Sequence, residues 1–268
     1  MSSQRPQLHA SSLGIHCMER FRRQYIEGER IPPGVAAIVG TGTHKGVEVN
    51  LSHKIETGEL LPVESVQDAA RDGLMAAWKS QAITLTPEEA SQGVNEVQGR
   101  AVDRAIRLAR LHHIEKAPEI EPLEVERRWS LDIPGMSFEL VGTMDVREQE
   151  IIRDTKTTGK TPSSDIAAKS MQLKAYALAV KVLERTPPGK VALDYLVDIK
   201  TPKAVTVEYE IDNDDFQVVL ARVEIIDRAM KAGVFMPVEP THWCCSEMWC
   251  GFWRSCRYVS RPKQFSIS

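Results

Sequence analysis

The chain has 268 residues, 42% of them hydrophobic and 26% charged, with a formal net charge of -3. That length can bury one large core, and no Gly/Ser-rich, Pro-rich, repetitive or low-complexity tract marks a linker, so a single domain over residues 1–268 is expected. The charge argues against a broad basic surface for non-specific nucleic-acid binding, though not against a local basic groove; the apolar runs are too short for a membrane span, and the start, MSSQRPQLHASS, lacks a signal-peptide core, which points to the cytoplasm.

Ser11 or Ser12 can cap a helix running to about Glu27. On it Leu13, Cys17, Phe21 and Tyr25 fall four apart and form one buried stripe, with Cys17 facing inward; taken alone, Cys17 is a small core thiol. Arg20, Arg22, Arg23 and Arg30 decorate the other faces. Next, the run VGTGTH (Val39–His44) leads into a helix with Val47, Leu51 and Ile55 inward. His44 lies one turn before Val47 and shares its buried face, where a lone histidine is ordinarily a satisfied core residue. Residues 63–80 form a further helix with Val66, Ala70, Leu74 and Ala77 on one side. Thr86-Pro87-Glu88-Glu89 is a capping box with Pro at the first helical position, opening a helix to about Lys116 that carries Arg104, Arg107 and Arg110.

The sheet is expected from Leu123. Leu123, Val125, Trp129 and Leu131 alternate with Glu124, Glu126 and Arg128 on the opposite face. Pro134-Gly135 turns the chain into the strand FELVGTMDV, which ends near Asp145. The short polar turn Arg147–Glu150 then brings a second strand alongside. On that strand Ile151 and Ile152 signal partial burial, while Asp154 and Lys156 project to the same side because strand side chains alternate. Two carboxylates and an ammonium so converge at one sheet edge. Like charges at short range repel, and a hard divalent cation relieves that cost.

Ser163 or Ser164 is expected to cap a helix from about Asp165 to Glu184, on which Gln172 and Tyr176 are neighbours one turn apart, with Lys169 and Lys174 nearby. Strands Val191–Ile199 and Ala204–Ile211 follow as a hairpin. Asp212 starts a last helix with Phe216, Val219, Val223, Ile226 and Met230 inward. Four of the five cysteines then crowd into the tail, Cys244, Cys245, Cys250 and Cys256, with Cys17 as the remote fifth. In a reducing compartment such a cluster favours metal or cluster binding over disulfides.

Asp145, the D-x-K tripeptide Asp154-Thr155-Lys156, Gly-Thr-x-x-His ending at His44, the Gln172/Tyr176 pair and the cysteine frame together resemble the PD-(D/E)xK nuclease superfamily, and within it the RecB-like exonuclease branch with an iron–sulfur cluster. CRISPR-associated exonucleases and AddB-type helicase–nuclease subunits belong to that branch. The resemblance implies an α/β fold, a restriction-endonuclease-like αβββαβ core with a mixed central sheet. Its helical insertion would occupy about 1–120, the nuclease core about 121–235 and a cysteine tail 236–268 pairing with Cys17. It implies His44, Asp145, Asp154 and the Thr155 carbonyl as ligands of Mg2+ or Mn2+, with Glu126 as an acidic neighbour. Lys156, Gln172 and Tyr176 would act on the phosphate and the attacking water. It also implies Cys17, Cys245, Cys250 and Cys256 as ligands of a [4Fe–4S] cluster. The four-residue gap between Cys245 and Cys250 is wider than the family pattern, Cys244 competes with Cys245, and Zn2+ is the rival occupant. The implied activity is exonucleolytic cleavage of single-stranded DNA or DNA ends in recombination, repair, phage replication or CRISPR adaptation. A non-catalytic DNA-binding adaptor in such a complex is the alternative.

Overall fold

The computed structural model describes residues 5–247 and 249–259. Residues 260–268, the end of the expected cysteine tail, lie outside them. A mixed six-stranded sheet is formed by β1 (Gln7–His9), β2 (Glu124–Leu131), β3 (Glu139–Arg147), β4 (Ile151–Thr158), β5 (Lys190–Val197) and β6 (Lys203–Glu210). β3 is its hub. β2 pairs antiparallel with β3 from Leu140 to Arg147. On the other edge β1 pairs in parallel at Glu139–Val141, and β4 pairs antiparallel only at Val146 and Arg147. Beyond that contact β4 leaves β3 and pairs in parallel with β5 along its whole length, while β5 and β6 form the expected antiparallel hairpin. Strands β3 and β4 therefore open into a fork, and Asp145 sits near its closed end.

The helix α6 (Met171–Glu184) supplies the crossover between the parallel strands β4 and β5. With α7 (Asn213–Ala232) it encloses the main core, built on Phe138, Leu140, Met144, Ile152, Leu173, Tyr176, Phe216 and Val223. Asp212 caps α7 through a reciprocal bond with Asp215, and Phe216, Val219, Val223 and Ile226 point inward as expected. The helix α6 starts later than expected. Residues 164–169 form turns, and Ser170, not Ser163 or Ser164, caps the helix by accepting from Leu173 N–H.

The helical part consists of α2 (Val35–Thr57), α3 (Val63–Ser80), the short α4 (Pro87–Gln92) and α5 (Val94–Glu115), preceded by α1 (Met18–Phe21). Thr86 and Glu89 form the predicted capping box, but Gly93, at φ 89°, ends α4 and starts a separate α5. The glycines before His44 were expected to precede a helix, and they lie inside one. A Cβ on Gly42 would meet Ala70 O and Leu74 Cβ at 2.7 Å, and one on Gly46 would meet Ala109 Cβ and Val66 O at 2.9 Å. They are there so that α3 and α5 can pack directly on the α2 backbone. Ile55, expected inward, is 44% exposed, and so is Leu123 at 53%.

The first helix of the sequence reading is broken up. Ala10–Gly14 is a single tight turn, Ile15–Cys17 is extended, α1 follows, and Arg22–Ile26 is a widened turn. Ser12 bonds back to the His9 carbonyl instead of capping a helix, and Cys17 precedes α1 in extended backbone. Leu13 and Phe21 are buried as expected, but Cys17 shares no helical stripe with them. Of the arginines there, Arg22 pairs with Glu19 and Glu27, and Arg23 pairs with Glu29 and lies over the Phe252 ring.

Candidate functional site

The site grows from the fork. Val47 and Leu51 on α2 bury against Val146 of β3, which fixes the rotation of α2 and turns His44, one turn earlier, toward the sheet. His44 Nδ1 lies 3.4 Å from Asp145 Oδ2. The same Asp145 oxygen accepts from Thr155 N–H at 2.8 Å, a bond that bridges the two diverging strands. On β2 the register pairs Val125 with Val146 and Arg127 with Met144, which sets Glu126 opposite Asp145. Glu126 has φ 51°, a left-handed conformation that costs a non-glycine residue about 1–2 kcal/mol. One ligand atom from each of His44, Glu126 and Asp145 falls within 4.8 Å of the others. Strain held at such a point has the character of a functional constraint.

The electrostatics agree with that reading. Burial and the Asp145 charge push the Glu126 carboxyl up to about 7. Asp154, 1% exposed, is pushed up to about 6 by burial and by Asp145, against the pull of Lys156 and His44. Lys156 Nζ lies 2.7 Å from Asp154 Oδ2, yet neither Asp154 oxygen has a partner in hydrogen-bonding geometry. Burial works to lower the Lys156 ammonium, but Asp154 beside it more than offsets this and the net shift is upward. From Lys156 a chain runs outward: Nζ to Gln172 Oε1 at 3.5 Å, then Gln172 Nε2 to Tyr176 Oη at 2.5 Å. Burial raises the Tyr176 phenol, so it stays protonated.

The fold thus brings His44, Asp145, Asp154, Lys156, Gln172 and Tyr176 into one neighbourhood. Asp154 stands outside the tight three-residue group and couples to it through Asp145. Thr155 contacts Asp145 through its N–H, and its hydroxyl is buried without a partner. Glu126 is more central than the sequence suggested, because its strained backbone could not be read from the alternation of β2. Tyr195, paired with Lys156 across β4 and β5, was missed altogether, since nothing in the sequence gives strand register. Several basic residues of the helices are already engaged. Arg104 and Arg107 pair with the half-buried Asp198, Lys116 donates to Thr206, and Lys174 pairs with Asp215 at 2.7 Å.

Buried carboxylate oxygens lacking partners, beside an imidazole and two further carboxylates, form a hard donor set that fits Mg2+ or Mn2+. A second donor set lies elsewhere. Cys17, Cys244, Cys245, Cys250 and Cys256 all line one cavity of about 230 Å3, none in a disulfide. Burial raises the Cys244 and Cys245 thiols, and Cys245 feels all four other cysteines. Cys244 Sγ is held 3.1 Å from His242 Nδ1, a neighbour the sequence reading did not weigh. Phe252 is buried against the cavity, and Trp243 and Trp249 also line it while remaining 58% and 57% exposed.

The PD-(D/E)XK nuclease superfamily profile matches residues 12–257. No curated protein matches. Among solved structures, a putative exonuclease from Eubacterium rectale superposes with a TM-score of 0.53 at 12% identity, over 96% of this chain and 90% of its own. A phage-related exonuclease from Haemophilus somnus 129PT reaches a TM-score of 0.34 at 15% identity, over 78% of this chain and 97% of its own.

Proposed function

The chain belongs to the PD-(D/E)XK nuclease superfamily, with its restriction-endonuclease-like fold, and from that premise we propose that it is a Mg2+- or Mn2+-dependent DNA exonuclease of the RecB-like branch. It acts on single-stranded DNA or DNA ends as a single domain. The observation that carries this reading is the meeting of His44, Glu126 and Asp145 at the fork, beside a buried Asp154 facing Lys156. His44, Asp145, Asp154 and the Thr155 carbonyl hold the ion, with Glu126 as an additional carboxylate. When bound, a divalent ion polarises the scissile phosphate and lowers the pKa of an attacking water.

The remaining residues act on water and phosphate. Lys156, with its side chain 39% exposed, orients the water and offsets the negative charge that develops on the phosphate. Gln172 is held between Lys156 and Tyr176, and that chain aligns the strand. Cys17, Cys245, Cys250 and Cys256 hold a [4Fe–4S] cluster with a structural role.

The test is cleavage of end-labelled single-stranded DNA with Mn2+ by wild type, Asp145→Ala and Lys156→Ala. Loss of activity in both variants is expected. Equal activity in all three would point to a contaminant and to a binding subunit without catalysis.

A further inference from the structure

A second groove, of about 620 Å3, opens where Gln172 emerges from the site. Its walls come from the Ser11–His16 turn, the segment Lys169–Gln172 and one face of α7. Three observations describe what it fits. Its lining contains no Asp or Glu, although the chain has 37 of them. It contains two permanent cations. Arg222 donates only to the Leu13 and Ile15 carbonyls and has no carboxylate partner among the described residues, and the Lys169 side chain, 68% exposed, forms an exposed ion pair with Asp165 that a phosphate would have to replace. The α7 wall offers an aliphatic strip, with Val218 49% and Ile225 58% exposed and Ala221 between them. Lys169 on one wall and Arg222 on the other, the latter beside the aliphatic strip of α7, match a strand whose phosphates meet the cations while its base faces lie on apolar surface.

We propose that this groove holds the nucleotides of a single DNA strand adjoining the scissile phosphate, with Lys169 and Arg222 on its phosphates and the Val218–Ile225 strip against its bases. The proposal rests on the nuclease reading, because it is Gln172, shared between site and groove, that makes the two continuous. A strand threaded here would favour unpaired ends: a duplex would have to lose its partner strand before its bases could lie against α7.

The test uses fluorescein-labelled dT12 and the full chain, with Ca2+ replacing the catalytic ion so that binding is read without cleavage. Lys169→Glu combined with Ile225→Asp changes two exposed side chains and is expected to weaken dT12 binding at least tenfold. It should also reduce the slope of log Kd against log salt by about 0.7, one phosphate contact on a single strand. Hydrolysis of thymidine 5′-monophosphate p-nitrophenyl ester with Mn2+, a substrate too short to enter the groove, should stay unchanged. If the double variant fails to fold, Lys169→Ala alone must still lower the salt slope. Unchanged dT12 affinity and salt slope overturn the proposal, and a shift in sedimentation with unchanged affinity assigns the groove to a protein contact instead. Wild type that binds dT12 through these residues but hydrolyses neither substrate removes the nuclease reading and leaves the groove standing.

Discussion

Glu126→Gln tests the strained carboxylate directly. The Glu126 carboxyl is carried from 4.5 to about 7 on folding, chiefly by burial and then by Asp145. At 1.36 kcal/mol per unit that is about 3 kcal/mol at most, and partial solvation reduces it to about 1–2 kcal/mol. The sign follows from proton linkage. Between pH 4.5 and 7 the folded state binds more protons here than the unfolded chain, so this group's contribution to stability falls as pH rises through that window and is lowest above it. Glutamine keeps the shape and removes the charge. In EDTA at pH 8, thermal unfolding of Glu126→Gln should therefore occur roughly 2–8 °C above wild type. Near pH 4.5 the two should coincide. Added Mn2+ should reverse the order, stabilising wild type more than the variant, because the ion neutralises the carboxylates that repel one another. A variant melting at or below wild type in EDTA at pH 8 would refute the account of three crowded acids.

Gly42→Val should cost about 1–3 kcal/mol by overpacking, since the new Cβ falls 2.7 Å from the Ala70 carbonyl and α3 must move away; chemical denaturation measures it, and an unchanged midpoint would contradict the packing described. Cys250→Ala should lower folded yield, iron content and absorbance near about 400 nm together. Cys245→Ser should do the same, whereas Cys244→Ser, whose thiol leans on His242, should keep its iron. A colourless, stable wild type carrying zinc would remove the cluster.

What the sequence revealed was mostly local or chemical. The strands around Asp145 and Asp154, the hairpin of β5 and β6, the Asp212 cap and the capping box at Thr86 follow from alternation and side-chain hydrogen bonds between near neighbours. Gln172 and Tyr176 were legible because helix geometry fixes residues four apart. What escaped depends on contacts distant along the chain. The run holding Gly42 was expected to lead into a helix, but Gly42 and Gly46 lie inside α2, where their small size is used by α3 and α5. The Ser11 helix dissolved because Arg222 reaches across to hold the Leu13 and Ile15 carbonyls, which no local propensity reports. The strand β1 is three residues long and exists only through its pairing with β3. The conformation of Glu126 was hidden for a similar reason: its neighbours on β2 keep ordinary register, so one twisted residue leaves no trace in the pattern.

The cysteine cavity has a consequence for biosynthesis. One wall is made by Cys17 and the facing wall by Cys244 to Cys256, more than two hundred residues further along the chain. Nothing can be captured there by all its thiols until the whole span between them has been synthesised. Loading is therefore performed on a chain whose sheet and helices have already emerged, and a polypeptide ending before Cys244 would keep its acidic fork while losing the clasp.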